Sequence, residues 1–126
     1  MAFENEQLRT SFSAAGDLSA NQYRVVRLSG VMTVNLASLN TAKTAIGVLL
    51  NKPSAAGRAA SVALSGVTKA YAGASVTAAG LLTHDSSGQV IAAISGSMII
   101  GHALETGTTN DLIGIRLYPY FSGDSA

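Results

Sequence analysis

The two histidines and a few carboxylates are the side chains with which this chain could do acid–base or metal chemistry. His84 and Asp85 are adjacent, so an extended chain points them to opposite faces, and their Ser- and Gly-rich surroundings are typical of a hairpin turn. His102 falls in an apolar stretch, where a core or interface histidine is expected. A metal would need carboxylate support from Asp85, Glu105 or Asp111, and no ligand spacing favours them. We therefore expect no metal site.

The sequence contains none of the common catalytic or nucleotide-binding motifs. It has no P-loop, G-x-S-x-G, G-x-G-x-x-G or H-E-x-x-H pattern, and no cysteine. A hydrolase would require His84, His102 and the dispersed carboxylates to converge in a cleft. We predict that the protein is not an enzyme and has no catalytic residue and no cofactor.

The composition argues against several binding classes. Charged residues are 12% of the chain, the net charge is +1, and the eight basic residues are scattered, which disfavours nucleic acid as a partner. No stretch has the ~20 apolar residues that span a bilayer, so no membrane contact is expected, and the N-terminus does not have the pattern of a signal peptide. With thirteen glycines and many small side chains, the core gains little per residue. We therefore expect an oligomer or a partner to add stability.

The stretch from Ile46 to Tyr71 predicts a strand, a turn and a second strand. Apolar residues alternate up to Leu50, and Asn51–Ser54 contains the turn-forming Asn, Pro and Ser. The second run begins near Ala59 and changes phase at Gly66, which indicates a bulge or bend.

Further short strands are predicted on both sides of this stretch, while 37–45 and 72–80 have no strong helical period. The predicted strands are Tyr23–Leu28, Val31–Leu36, Leu81–Thr83, Gln89–Ile94, Met98–Glu105 and Leu112–Tyr120, the last ladder ending at Pro119. Short strands separated by turns favour an all-β fold, a small antiparallel β-sandwich or barrel with an extended N-terminal arm.

The pattern I-G-x-x-L occurs three times, at Ile46–Leu50, Ile100–Leu104 and Ile113–Leu117. Because side chains alternate along a strand, the first, third and fifth positions of each run share a face. We predict that this face is the core, which would place His102 inside. The glycines would let another backbone approach the opposite face.

We divide the chain into an N-terminal arm (1–22), a β domain (23–120) and a C-terminal tail (121–126). The arm is polar, with spaced apolar anchors at Phe3, Leu8 and Phe12; it is either a frayed terminus or a segment that orders on a partner. Tyr118 and Tyr120 share a strand face, and tyrosine is enriched at interfaces.

Several of these segments, taken in order, resemble tailed-bacteriophage capsid decoration (cement) proteins over roughly residues 14–118. The segments are AGDLSANQY (15–23), IGVLLNKP (46–53), AASVALSGVTK (59–69), AGASVTAAGLL (72–82), DSSGQ (85–89), IGHALE (100–105) and IGIRL (113–117). The first eleven residues and the YPYF end (118–121) depart from the pattern, so docking details are expected to differ.

The resemblance implies a structural virion protein that is made in the host cytoplasm and binds the outer surface of an icosahedral head, which it stabilises. The implied partners are the major capsid protein and further copies of this chain, in a homotrimer. Phe3, Leu8 and Phe12 would contact the capsid, and Tyr71, Tyr118 and Tyr120 would mediate self-association. Two alternatives are a tail or fibre subunit and a small ligand- or glycan-binding β-barrel; the 6% aromatic content argues against the second.

Overall fold

The computed structural model describes residues 8–38, 44–94 and 96–121, the last three as backbone only. Within these ranges the chain forms nine strands and no helix, so no helix long enough to span a membrane occurs there, and the predicted all-β class is confirmed. The strands are β1 Leu8–Ala14, β2 Val25–Gly30, β3 Thr33–Leu36, β4 Ala45–Leu49, β5 Ala59–Tyr71, β6 Leu81–His84, β7 Val90–Ala92, β8 Met98–Ala103 and β9 Leu112–Phe121.

Five strands close into a barrel in the order β1-β3-β2-β4-β5, with β5 pairing back to β1. All of its pairings are antiparallel except that of β1 with β3, which is parallel. Every one of the five strands contributes to a single apolar cluster, which is the barrel interior. Its members are Phe12, Ala14, Leu18, Val26, Val34, Ile46, Leu49, Ala60, Val62 and Leu64.

A second sheet, β5-β9-β8-β6-β7, continues from the barrel through β5. Its inner face packs on the outside of the barrel wall formed by β2 and β4. The shared core between them is Val25, Ala37, Ala45, Val48, Leu50, Ala63, Ala70, Ala72, Val76, Leu82, Val90, Met98, Ile100, Ala103, Ile113, Ile115 and Leu117. At the far strand, β7, Val90 forms a bridge with Ala72, which protects part of that edge.

The strand β5 belongs to both sheets and changes partner at Gly66. Its first half pairs with β1 and β4, and Gly66 to Tyr71 pair with β9. Gly66 has a φ of 103°, a conformation that costs glycine little. Ala63 and Ala70 are an odd number of residues apart and yet lie in the same core. The predicted change of phase at Gly66 is therefore confirmed.

Of the three I-G-x-x-L runs, only the last has the predicted face: Ile113, Ile115 and Leu117 are all buried between the sheets. In the first run, Val48 lies in that core, but Ile46 packs in the barrel interior. The pairing of β2 with β4 shifts register beside Ile46. An extra residue in one strand turns the following side chains to the other face, so the predicted face is wrong there.

The second run is also shifted, and the placement of His102 in the core is wrong. The pairing of β8 with β9 shifts between Ile99 and Gly101. Ile100 and Ala103 consequently share the core, and His102 turns outward. Leu104 is likewise exposed.

The glycines were predicted to let another backbone approach the face opposite the core, but the close contacts at Gly47 and Gly101 are with the paired strand of the same sheet. A Cβ at Gly47 would overlap the carbonyl of Ala63, and one at Gly101 would overlap the carbonyl of Arg116. Each glycine thus permits a tight contact with the strand paired beside it. Around Gly114 the nearest atom is instead a carboxylate oxygen of Glu105.

From Leu8 onward, the segment predicted as an arm forms a strand of the barrel. β1 pairs with β5 and β3, and the Leu18 N–H donates to the Pro53 carbonyl (2.8 Å). At the other end, β9 continues past Pro119 to Phe121, which pairs with Met98. The prediction that Pro119 ends the ladder is therefore wrong. Among the described residues this last part of β9 pairs with β8, and proline is tolerated where a strand pairs on one side.

Candidate interaction surface

His84 and Asp85 form a structural turn. One Asp85 carboxylate oxygen accepts the N–H groups of Ser87 (2.8 Å) and Gln89 (3.0 Å). The His84 ring is buried, and its Nδ1 bonds the Asp85 carbonyl (3.0 Å). Burial lowers the pKa of His84, since a charged ring is poorly solvated there. The carboxylate faces backbone amides of its own turn, which confirms the turn interpretation.

His102 lies on the outside of the second sheet and contacts Tyr118. The Tyr118 hydroxyl bonds Nδ1 of His102, and the two ring centroids are 5.3 Å apart. In the described ranges, no group of three His, Asp or Glu side chains could hold a metal ion. The carboxylate nearest in sequence, Glu105, accepts the backbone N–H of Gly114 (2.8 Å). His102 is therefore a half-buried side chain of the outer side of this sheet, bonded to Tyr118.

The three residues predicted to contact the capsid differ in how far the structure exposes them. Phe3 lies outside the described residues. Leu8, at the start of β1, is 59% exposed, whereas Phe12 is half-buried against the barrel interior. Leu8 is thus available to a partner, while much of the Phe12 ring is already used in the domain's own core.

The predicted self-association tyrosines are not brought together. Tyr71 pairs with Leu112 at one end of the β5–β9 ladder, and Tyr118 lies one residue past Leu117 at the other end. At ~3.4 Å per residue the two ends are about 17 Å apart. Tyr120 pairs with Ile99 through its backbone, and its side chain lies outside the described part. Two separate tyrosine positions result.

Tyr71 and Tyr118 lie on a larger surface, which we call the outer face of the second sheet. Directly opposed residues share a face, and next-but-one residues along a strand do too. The pairings therefore place on it Val67, Lys69, Tyr71, Leu81, His102, Leu104, Leu112, Gly114, Arg116 and Tyr118. Leu81, Leu104 and Leu112 are each at least 40% exposed. Such a mixture of exposed leucine and tyrosine is typical of an interaction surface.

The centre of this face is Gly114, and it carries both signs of charge: the Glu105 carboxylate lies 3.2 Å from the position of a Cβ at Gly114, and Lys69 and Arg116 are basic. Gly114 has no side chain, and it lies between Lys69, its pairing partner on β5, and Leu104, whose N–H donates to the Gly114 carbonyl (2.9 Å). The guanidinium of Arg116 stands 5.2 Å from the centroid of the Tyr118 ring. The described face therefore suits a partner with apolar groups and with charged groups of both signs.

A second exposed apolar site, which the sequence analysis missed, is the turn between β2 and β3. Val31 is 93% exposed and Met32 52%, and Met32 has a φ of 46°. The turn was predicted at Ser29–Gly30 with a strand from Val31, whereas the strand begins at Thr33. The feature of the sequence that could have indicated this exposed turn is the pair of apolar residues, Val31 and Met32, directly after Gly30. This turn is an apolar projection beside the start of β3.

No family model and no curated protein matches this chain. A solved structure, the head fiber gp8.5 N base in bacteriophage phi29, is similar to it with a TM-score of 0.66. The likeness covers 88% of this chain and 93% of that chain, at 15% sequence identity. At this identity, the likeness shows that the two chains share a fold.

Proposed function

We propose that this protein is a structural component of a phage virion that binds the outer surface of the head and stabilises it, as decoration proteins do. The observation that carries the proposal is the fold shared with the phi29 head-fibre base along nearly the whole of both chains. The resemblance of residues 14–118 to decoration proteins points to the same surface. Fold alone does not imply function, so the proposal also rests on the surfaces that the fold presents.

The proposed role is one of contact, without catalysis. A closed barrel with a sheet packed on its wall is a rigid body, and β5 ties the two together. Leu8, the Val31–Met32 turn and the outer face of the second sheet present apolar side chains to partners. Repeated attachment over a lattice converts modest contacts into lasting ones, by factors of about 10²–10⁴ for linked sites.

The proposed partners are the major capsid protein and two further copies of this chain. A ring of three identical subunits uses two different patches on each subunit, because its contacts are heterologous. The separation of Tyr71 from Tyr118 along β5 and β9 suits such a ring, with one tyrosine in each patch. Phe3 and Leu8, and Phe12 in part, are proposed to contact the shell.

A head-fibre or tail-fibre subunit is the second candidate, and the named likeness favours it directly. A fibre subunit would anchor a projection and would not need to strengthen the shell. A decoration protein would raise the temperature at which filled heads release DNA.

Cryo-imaging of heads with and without the protein tests both candidates. Density that follows the outer surface of the shell at regular lattice positions, together with a higher DNA-release temperature, is expected. Projecting fibres with an unchanged release temperature would favour the fibre role. Absence of the protein from purified particles would overturn both.

A further inference from the structure

The turn between β2 and β3 is held in a conformation that its side chains do not favour. Met32 has a φ of 46°, in a region that bulky side chains rarely adopt. The Ser13 N–H donates to the Met32 carbonyl (2.8 Å), and the Thr33 hydroxyl donates to the Val31 carbonyl (2.8 Å). The turn therefore presents its side chains in a fixed arrangement, which lowers the entropic cost of binding a partner.

The side chains that the turn presents are apolar and exposed. Val31 and Met32 form the turn, and Leu28, on the strand that leads into it, is exposed as well. Asn and Gly are the residues that suit a turn with a positive φ. Because both the backbone conformation and the exposure of Met32 depart from what folding favours, contact with a partner is the physical reason that fits this turn.

The strands around this turn carry basic side chains and no acidic ones. Arg9 lies on β1, which the Ser13 N–H joins to the turn, and Arg27 lies on β2. No Asp or Glu occurs in β1, β2, β3 or the turn between the last two. What we call the turn patch is therefore both apolar and positively charged. Its members are Arg9, Arg27, Leu28, Val31 and Met32.

An apolar patch of the opposite charge lies at one end of the second sheet. Leu104 and Leu112 are exposed there, and each has an exposed acidic neighbour in the chain, Glu105 and Asp111 respectively. Each carboxylate accepts a backbone N–H, which favours its charged form. The basic residues on β5 and β9 lie further along the outer face, toward Tyr118. We call these two leucines and two acids the sheet patch.

The two patches are fixed at different places on one rigid body. The turn patch lies beside β1, whose first residue pairs with Ser65, whereas Leu112 of the sheet patch pairs with Tyr71. Six residues of strand separate these two positions by about 20 Å along β5. The complementary surfaces are therefore placed to serve contacts between copies of the chain.

We propose that the turn patch of one copy docks on the sheet patch of the next, with the apolar turn against the exposed leucines and the arginines facing the carboxylates. A contact between two different patches is heterologous and can close into a ring. It therefore fits the proposed trimer, and it includes the position of Tyr71, which pairs with Leu112. The inference rests on the proposed self-association and does not depend on attachment to a head.

A mixture of two variants tests which surfaces meet. Val31→Ser/Met32→Ser removes the apolar turn, and Leu104→Ser/Leu112→Ser removes the exposed leucines of the sheet patch. All four side chains are exposed, so both proteins should fold, which circular dichroism checks. Ile94→Ser is the matched control, because Ile94 is also exposed but belongs to neither patch. Sedimentation velocity, without heads, measures the mass of each protein alone and of the equimolar mixture.

Each double variant is expected to need at least tenfold more protein for half assembly than the unchanged chain or the control. The mixture retains one intact turn patch and one intact sheet patch, on different chains. It should therefore form one-to-one dimers and nothing larger at concentrations where each variant alone is monomeric.

Two results would overturn the proposed contact while leaving the trimer in place: variants that assemble like the unchanged chain, or a mixture that stays monomeric. An unchanged chain that stays monomeric would overturn the contact and the proposed trimer together. Binding to heads is a separate measurement, so its failure does not affect this inference.

Charge reversal tests the electrostatic part of the contact. Arg9→Glu places an acidic group in the turn patch and should weaken assembly several-fold. Arg58→Glu is the control, since Arg58 is exposed at the other end of β1, where its carbonyl accepts the Ala14 N–H. Added sodium chloride screens exposed charges and should also weaken assembly of the unchanged chain. Equal effects of the two reversals would rule out the proposed pairing of arginines with carboxylates.

Discussion

Leu8 and Leu117 lie opposite consecutive residues of β5: Leu8 pairs with Ser65, and Leu117 pairs with Gly66. In a single step along one strand, the partner changes from the first strand of the barrel to the last strand of the second sheet. The start of β1 and the end of the β5–β9 ladder therefore meet at one place. The positive φ of Gly66 (103°) makes this change of partner possible.

Gly66→Ala should destabilise the protein by about 1–2 kcal/mol, because a Cβ disfavours a positive φ. Urea unfolding measures the loss. The control is Gly16→Ala, since a Cβ at Gly16 would meet nothing within 4 Å, and its effect should stay within about 0.5 kcal/mol. Equal losses of unfolding free energy in the two variants would mean that the positive φ at position 66 does not penalise a side chain there.

Removal of residues 2–7 should leave the barrel intact, because β1 begins at Leu8. Removal of residues 2–14 deletes β1 and should unfold the protein. If the N-terminal segment contacts the shell, the shorter truncation should bind undecorated heads at least tenfold more weakly than the full chain. Sedimentation with purified heads measures binding, and circular dichroism checks the fold. Full binding by the folded truncation would remove residues 2–7 from the binding surface.

In the proposed homotrimer, Tyr71→Ala should weaken self-association while the fold is retained. Tyr71 is half-buried on the outer face, with the Arg24 guanidinium 6.0 Å from its ring centroid, and it lies outside both apolar cores. At micromolar concentration, sedimentation velocity should show a shift from trimer toward smaller species. The matched change Ile94→Ser removes an exposed apolar side chain after β7, outside the proposed contact surfaces, and should leave the mass unchanged. An unaltered trimer in the Tyr71 variant would exclude this position from the interface.

Stability should fall as the pH drops below about 6.5, the ordinary pKa of histidine. Burial lowers the pKa of His84 in the folded state, so between that pKa and 6.5 the unfolded chain binds more protons than the folded one. Stability therefore decreases with falling pH in this window, and His84 adds no pH dependence above it. Urea unfolding at pH 7.5 and 5.5 measures the change.

His84→Asn is the control for this pH effect. Its amide N–H can replace the ring N–H that faces the Asp85 carbonyl, but it does not titrate. The variant should lose the part of the pH dependence that comes from His84. An identical pH profile in both proteins would assign the effect to other groups.

Local features of the sequence were sufficient for the strand–turn–strand from Ile46 to Tyr71, the phase change at Gly66 and the turn at Asp85. Each of these depends on alternation or turn chemistry within a few residues. β1 was missed although Leu8, Thr10, Phe12 and Ala14 alternate with polar residues, because the polar N-terminal context outweighed a short pattern. The same alternation would have identified the strand.

By itself, the sequence determined that this is an all-β chain of short strands, where most of those strands lie, and which turns join them. Only the tertiary structure decided that β1 closes a barrel, that His102 faces outward, that Ile46 packs in the barrel interior, and that Tyr71 and Tyr118 lie at opposite ends of one ladder. The physical reason is that these features depend on register between strands distant in sequence. One extra residue in a pairing, as beside Ile46 and Ile100, turns every following side chain to the other face.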